Sequence, residues 1–486
     1  MNIKEFLFKN QTIRQTIAKN TFWLFFGQIV SRLIKAALII YAARILGAES
    51  YGIFSFALSF AMLALIFSDM GIGPLLVRET AKNQDEESRK KYISTSFYLK
   101  IFLLFVCLSL MLVGILILPN KESAHLLWFF TFMIVATIFR DFFLALARSL
   151  EKMEIEAATM IIEMGAIVIL GFVFLRIMPT PQSLALAYGL GAIIGLIFPL
   201  AVFRRRLIEA IANFDGQLAK KIAGWAWPFA VGSLIGFILA YTDTLMLGWL
   251  KPIETVGWYA AAIKIPLLLI IPAGIVHNAI LPALSRLSDS GEKLGKIVNR
   301  SGELLMALVF PLIIGGIILA PPIINLIFGK QYLPSVPAFK IALFLVPINC
   351  AWSILSAALF AKNLQQSNMY FAALAAGTNI ILNLILIPVY GITGAALASV
   401  FSQSIGFSLT LGLFKKITRT FPFAFKELAK ISLAALAMSA FLLVPAIRNS
   451  ALWLNIPLAG LIYFMFLRLL KFNTLYEGLH LLKNAK

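Results

Sequence analysis

The chain has 486 residues, of which 60% are hydrophobic and only 13% charged, and its mean hydropathy is +0.91. Ordinary soluble domains are about half apolar and about a quarter charged, so this composition excludes that class and indicates an all-α polytopic membrane protein. The formal charge of +20 invites a nucleic-acid partner, a reading that the placement of the charges removes.

The chain opens with "MNIKEFLFKNQTIRQTIAKN", which has no short apolar core followed by a small-residue cleavage site. It reads as an interfacial amphipathic lead-in, not a cleaved signal peptide. Phe6, Leu7 and Ile13 would sit at the headgroup boundary, while Lys4, Lys9, Arg14 and Lys19 would face anionic lipid.

A hydrocarbon core of about 30 Å takes roughly 20 apolar residues per helix, and windows of that length give about fourteen transmembrane helices. They cover residues 20–45, 51–77, 93–118, 124–147, 156–177, 183–203 and 222–248, then 256–282, 301–326, 337–361, 369–387, 393–414, 428–446 and 452–470.

With the N-terminus placed in the cytoplasm, the loops and tails on that side hold roughly 30 of the 42 Lys and Arg, the other side about 7, and the spans about 5. Basic clusters such as "RETAKNQDEESRKKY" (78–92), "FRRRL" (203–207) and "KKITR" (415–419) all fall on the same side. This positive-inside pattern predicts a multi-pass protein of the cell (cytoplasmic) membrane with both termini cytoplasmic. Anionic lipid accounts for the basicity, and no nucleic-acid partner is needed.

Cys107 and Cys350 lie in apolar helix interiors, and the three histidines, His125, His277 and His480, have no metal-ligand spacing. No metal site or cofactor is expected, and phosphate-loop, HExxH and GxSxG patterns are absent. Membrane glycan polymerases work through carboxylate-bearing outer loops, whereas the outer connections here are short, as in "LPNKESA" and "IMPTPQS". The expected class is a transporter and not an enzyme.

Two internal echoes suggest a duplicated architecture. "LGAESYGIFSFA" (46–57) is echoed by "LGWLKPIETVGWYAAA" (247–262), and "AYGLGAIIG" (187–195) by "VYGITGAALA" (389–398). The implied plan is two six-helix lobes, 1–210 and 211–415, followed by a C-terminal helix pair and cytoplasmic tail, 416–486. Six is even, so the repeats would be parallel.

Ionisable residues inside the spans are the functional candidates. Gln28, Ser31, Arg32 and Lys35 share one face of the first span, which must look into protein or water. Lys264 lies in the eighth span beside Pro266 and above Pro272, residues that let a helix bend. Asp69, Lys100, Arg140 and Asp141 all come within roughly 10–12 Å of the cytoplasmic surface at 1.5 Å per residue, favouring a salt-bridge cluster, with headgroup contact by Arg140 as the sharper alternative. Asp243 and Glu163 are candidates for binding a coupling H+ or Na+, or equally for neutralising Lys35 or Lys264. His277 reads as a packed neutral histidine.

The order and spacing of "RILGAESYGIFSFALSF", "DMGIGPLLVRE", "YTDTLMLGWL" and "IPVYGITGAALASVFSQ" resemble polysaccharide flippases of the Wzx type. These belong to the multidrug, oligosaccharidyl-lipid and polysaccharide exporter superfamily, and the resemblance covers nearly the whole chain. It implies a flippase that moves a polyprenyl-diphosphate-linked oligosaccharide from the cytoplasmic to the outer leaflet by alternating access, for surface polysaccharide biosynthesis. Lipid II flippases and cation-coupled multidrug exporters of the same superfamily are the alternatives.

In the superfamily's general plan the first and eighth spans face the cavity. Arg32, Lys35 and Lys264 are therefore expected to form a cationic pocket for the diphosphate, with Gln28 and Arg140 as further substrate contacts. Membrane lipids, a glycan polymerase and glycosyltransferases are the partners this function implies.

Overall fold

The computed structural model describes residues 13–82, 85–444 and 452–472. Among them all regular structure is helical. In chain order the helices are α1 Ile13–Ile66, α2 Ile72–Lys82, α3 Glu86–Ile117, α4 Lys121–Ser149, α5 Met153–Ile177, α6 Pro181–Ala212, α7 Gly216–Leu250 and α8 Ile253–Leu269. They continue as α9 Ile271–Arg286, α10 Gly291–Ile318, α11 Ala320–Ile327, a 3₁₀ turn Lys330–Ser335, α12 Val336–Ala342, α13 Leu345–Ala361, α14 Gln365–Thr418, α15 Phe425–Leu443 and α16 Leu452–Leu469.

Ten stretches of described helix are long and apolar enough to cross a membrane. Helices α1 and α14, each 54 residues, would be about 80 Å long if straight, far beyond one bilayer. Each turns at a glycine with positive φ, Gly47 (78°) and Gly391 (55°), and so holds two crossings. Helix α15 covers most of the thirteenth expected span, but Lys426, Glu427 and Lys430 crowd its first turns and it is not among the ten. Among the described residues the expected spans correspond to helical stretches, with breaks inside several, the second and the tenth among them, and the chain is an all-α multi-pass membrane protein.

The second span departs from its expected limits of 51–77. Helix α1 ends at Ile66, and Met70 (φ 41°) and Gly71 (φ 85°) turn the chain before α2 begins. A Cβ on Gly71 would sit 2.6 Å from the Ala226 carbonyl oxygen, so only glycine fits the turn. The broken end is held electrostatically. Lys100, 1% exposed, donates to the Ser68 carbonyl at 3.1 Å and pairs with Asp69, whose Oδ1 also accepts the Gly73 N–H at 3.0 Å. The Ser68 carbonyl lies in the turn just past α1, and Lys100 supplies the donor that this buried acceptor needs.

Lys19 also corrects the expectation from sequence. Its side chain is 1% exposed and pairs with Glu154 at 3.1 Å instead of facing lipid. Residues 1–12 of the expected lead-in, and His480, lie outside the described residues.

The chain divides into two compact units, Met1–Gly257 and Trp258–Lys486. In the first, α5 and α6 pack along each other, as do α4 and α6, and α1 lies on α5. An aromatic cluster of Phe97, Phe142, Phe143 and Phe203 fills one end with Leu76, Ile93 and Leu146. In the second, α10 packs on α15, Tyr463 donates to the Ala307 carbonyl at 2.8 Å, and Asn349 donates to Gln403 at 2.5 Å. His277 Nδ1 lies 2.8 Å from the Ser353 carbonyl; a carbonyl only accepts, so that nitrogen carries the hydrogen.

The first echo corresponds to a reciprocal contact within the first unit. Glu49-Ser50-Tyr51-Gly52 and Glu254-Thr255-Val256-Gly257 run past each other so that a Cβ on Gly52 would lie 2.2 Å from the Ile253 oxygen. One on Gly257 would lie 1.9 Å from the Ala48 oxygen. Ala48 and Ile253 hold the same position ahead of each Glu, so the two contacts are the same contact made twice. The second echo has no such equivalence: Gly189 sits inside α6, whereas Gly391 makes the turn in α14.

Two stability outcomes follow. Gly257→Ala drives a methyl into backbone that cannot yield, at a cost of at least the ~1–3 kcal/mol typical of overpacking. In detergent it should lower the melting temperature and the folded yield, while Gly232→Ala, with no atom within 4 Å of the new methyl, should leave both unchanged or improved. Lys100→Met strands Asp69 and the Ser68 carbonyl and should cost ~3–5 kcal/mol; adding Asp69→Leu should recover most of it in the same melting assay.

Candidate functional site

Three helices of the first unit each present one polar stripe to a common cavity of about 440 Å³. Helix α1 contributes Gln28, Ser31, Arg32 and Lys35; α4 contributes Arg140, Asp141, Leu144 and Arg148; α5 contributes Met160, Glu163 and Met164. Each set repeats at the three- or four-residue spacing that brings side chains to one helix face. Further along the same face of α1, Leu38 and Ala42 are fully buried.

Glycines allow the close approach. A Cβ on Gly27 would lie 2.9 Å from the Ala157 Cα, so α1 and α5 touch backbone to backbone there. On α6, Gly191 and Gly195 lie four apart and face Ile167 and Glu163, four apart on α5; a Cβ on Gly195 would meet that of Glu163 at 2.7 Å. Small residues at this spacing are how membrane helices pack tightly. Here the spacing fixes where the Glu163 carboxylate stands.

The cations of the cavity fall into two classes. Arg140 and Arg148 are paired. Arg140 donates from Nε and Nη2 to Asp141 Oδ1 at 3.0 and 2.8 Å, and from Nη1 to Glu163 Oε2. Arg148 grips Glu156 with two prongs, 2.7 and 2.5 Å, across the turn joining α4 to α5. By contrast, no carboxylate among the described residues comes within ion-pair distance of Arg32 or Lys35. The Lys35 ammonium lies 5.5 Å from the Tyr188 ring centre, a cation–π contact that keeps it in the cavity wall. Beside them the Ser31 hydroxyl is buried and has no hydrogen-bond partner among the described residues.

The structure thus brings Gln28, Arg32, Lys35, Arg140 and Glu163 together. The single cluster expected of Asp69, Lys100, Arg140 and Asp141 separates into two: Asp69 pairs with Lys100, while Arg140 holds Asp141 and Glu163. Glu163 is ion-paired to Arg140, and the Lys35 charge also acts on its carboxylate. Asp243 is buried towards the end of α7, and Lys264, half-buried on α8, belongs to the second unit. Neither is among the residues lining the cavity. Sequence reasoning missed Arg148, although it follows Asp141 by seven residues and so shares its face, and missed Tyr188 within the "AYGLG" echo. No group of three or more His, Cys, Asp or Glu among the described residues could hold a metal ion.

Residues 17–288 match the family model described as "Polysaccharide biosynthesis protein". A putative O-antigen transporter of Shigella flexneri is 25% identical over 328 residues, 65% of this chain and 78% of that protein. A probable low-salt glycan biosynthesis flippase of Haloferax volcanii, Agl15, is 25% identical over 402 residues, 80% of this chain and 81% of its own length. Among solved structures, the lipid II flippase MurJ in an inward closed conformation superposes with a TM-score of 0.78 at 18% identity, covering 92% of this chain and 99% of MurJ. An inward-facing multidrug transporter of the MATE family gives 0.61 at 15% identity, covering 82% and 99%. With the family model spanning more than half the sequence, the chain belongs to the polysaccharide biosynthesis protein family, and its fold is the one shared by MurJ and the MATE transporters.

Proposed function

We propose that the protein is a flippase that carries a polyprenyl-diphosphate-linked oligosaccharide from the cytoplasmic to the outer leaflet, by alternating access, for surface polysaccharide biosynthesis. The observation that carries this reading is the pair of cations without a carboxylate partner, Arg32 and Lys35, in a cavity lined by four cations and two carboxylates. Arg32 is exposed and Lys35 half-buried, so an anion entering the cavity can complete both. A diphosphate does so, because guanidinium and ammonium donors can replace its hydration shell.

The reading places the protein in the cytoplasmic membrane with both termini inside, which the positive-inside distribution supports. An inside-negative potential favours outward movement of the anion by about 2.3 kcal/mol per charge per 100 mV. A glycan polymerase and glycosyltransferases are the partners such a function requires. Lipid II also carries a diphosphate and is the second reading, supported by the likeness of fold to MurJ. A net cationic lining disfavours export of cationic drugs.

Arg32→Gln and Lys35→Gln should each weaken binding of a prenyl-diphospho-sugar by roughly 10-fold or more, the ~1.5–3 kcal/mol of a hydrogen bond to a charged group. Headgroup translocation in proteoliposomes should slow in parallel, and Lys264→Gln is the companion test for the second unit. Wild-type rates in all three variants would remove the pocket. Translocation of lipid II in preference to a glycan-linked carrier would favour the second reading.

A further inference from the structure

A guanidinium has two edges, and those of Arg140 are held in different ways. The edge formed by Nε and Nη2 is bound to Asp141, the next residue on the same helix. Nη1 reaches instead to Glu163 on α5. The first pairing is local and moves with Arg140; the second spans two helices and points along the cavity wall. Glu163 is 6% exposed, Gly195 backs it closely, and Arg140 is its one hydrogen-bond partner among the described residues.

We propose that Glu163 holds the place on Arg140 that the anion takes, and that Glu163 gains a proton when the anion binds. The inference rests on the diphosphate reading of the cavity. A phosphate oxygen arriving beside Arg32 and Lys35 competes for Nη1, while Asp141 keeps the guanidinium oriented. Displaced from Nη1, Glu163 would be a buried carboxylate beside a bound dianion. Like charges at short range in a poorly solvated site favour the neutral form of one of them.

The other charged groups facing Glu163 do not relieve it. On α4, Arg140 turns to the anion and Arg148 is engaged by Glu156. On α1, Arg32 and Lys35 are taken up by the phosphates. Helix α6 offers Gly195 and, further along, the neutral Tyr188. Asp141 is more exposed and keeps its bonds to Arg140, so the proton goes to Glu163. It comes from bulk water and forms one O–H bond on the carboxylate; no other bond is made or broken.

The test uses the purified full-length protein and farnesyl-diphospho-N-acetylglucosamine, whose diphosphate diester does not itself titrate near neutrality. Calorimetric titration in buffers of different ionisation enthalpy should show uptake of about one proton per probe bound, the linkage expected of a single group. Glu163→Gln should bind the probe with no uptake, and Asp141→Asn should retain it. Because Glu163→Gln removes a buried partner of Arg140, an infrared difference spectrum of the unaltered protein provides the second arm: probe binding should raise a protonated-carboxyl C=O band. Binding that depends on Arg32 and Lys35 but shows neither uptake nor the band overturns the role of Glu163 and leaves the diphosphate reading standing. Failure to bind, or binding indifferent to Arg32→Gln and Lys35→Gln, overturns both.

Discussion

A charge carried on a helix that crosses hydrocarbon has three stable situations: paired, turned to water, or complemented by a ligand. That constraint sorts the cations of the first unit. Lys19 has Glu154, Lys100 has Asp69 and the Ser68 carbonyl, Arg148 has Glu156, and Arg140 has two carboxylates. All but the local Arg140–Asp141 pairing join separate helices or tie a helix to a neighbouring turn, and breaking a buried pair costs far more than the pair contributes over an apolar replacement. Arg32 and Lys35 stand apart from this pattern, and the functional reading follows from their difference.

Backbone approach makes the pattern possible. Charged side chains a few ångströms apart on three helices require those helices to lie closer than large side chains permit. Gly27 brings α1 onto α5, and Gly191 with Gly195 brings α6 onto α5. A glycine pair on one helix therefore determines where a carboxylate on the next can stand, which determines which guanidinium nitrogen it meets. Packing and electrostatics are here a single arrangement.

Much of this was legible in the sequence, for a physical reason. Hydropathy reports on contact with lipid, so it located the apolar helices. Helical periodicity reports on faces, so Gln28, Ser31, Arg32 and Lys35 could be placed together before any fold was known. Pairing across helices is different: it depends on rotation and depth of several helices at once, which matched distance from the membrane surface approximates only poorly. Hence Asp69 and Arg140, at similar depth, belong to different pairs, and Glu163, deeper along its helix, is the one that meets Arg140. The break in the second span was visible as "DMGIG", yet hydropathy alone ran across it because a short turn barely alters a twenty-residue average.

The cavity's lining also bears on what it can discriminate. Among the described residues its lining is cations, carboxylates, Gln28, Ser31, two methionines and a leucine, with the Tyr188 ring buried behind Lys35 and not at the surface. Sugar faces are apolar and are usually read by flat aromatic surfaces, whereas phosphates are read by charge and by directed N–H donors. On the proposed reading, this cavity therefore recognises the diphosphate common to all such carriers, and only Gln28 and Ser31 offer neutral polar contacts to a first sugar. Discrimination among glycans at this site is then weak, because exchanging one sugar hydroxyl for another alters few contacts that the lining can make. On the same reading, a step that grips the carrier by its diphosphate would leave selectivity among glycans to contacts outside this cavity.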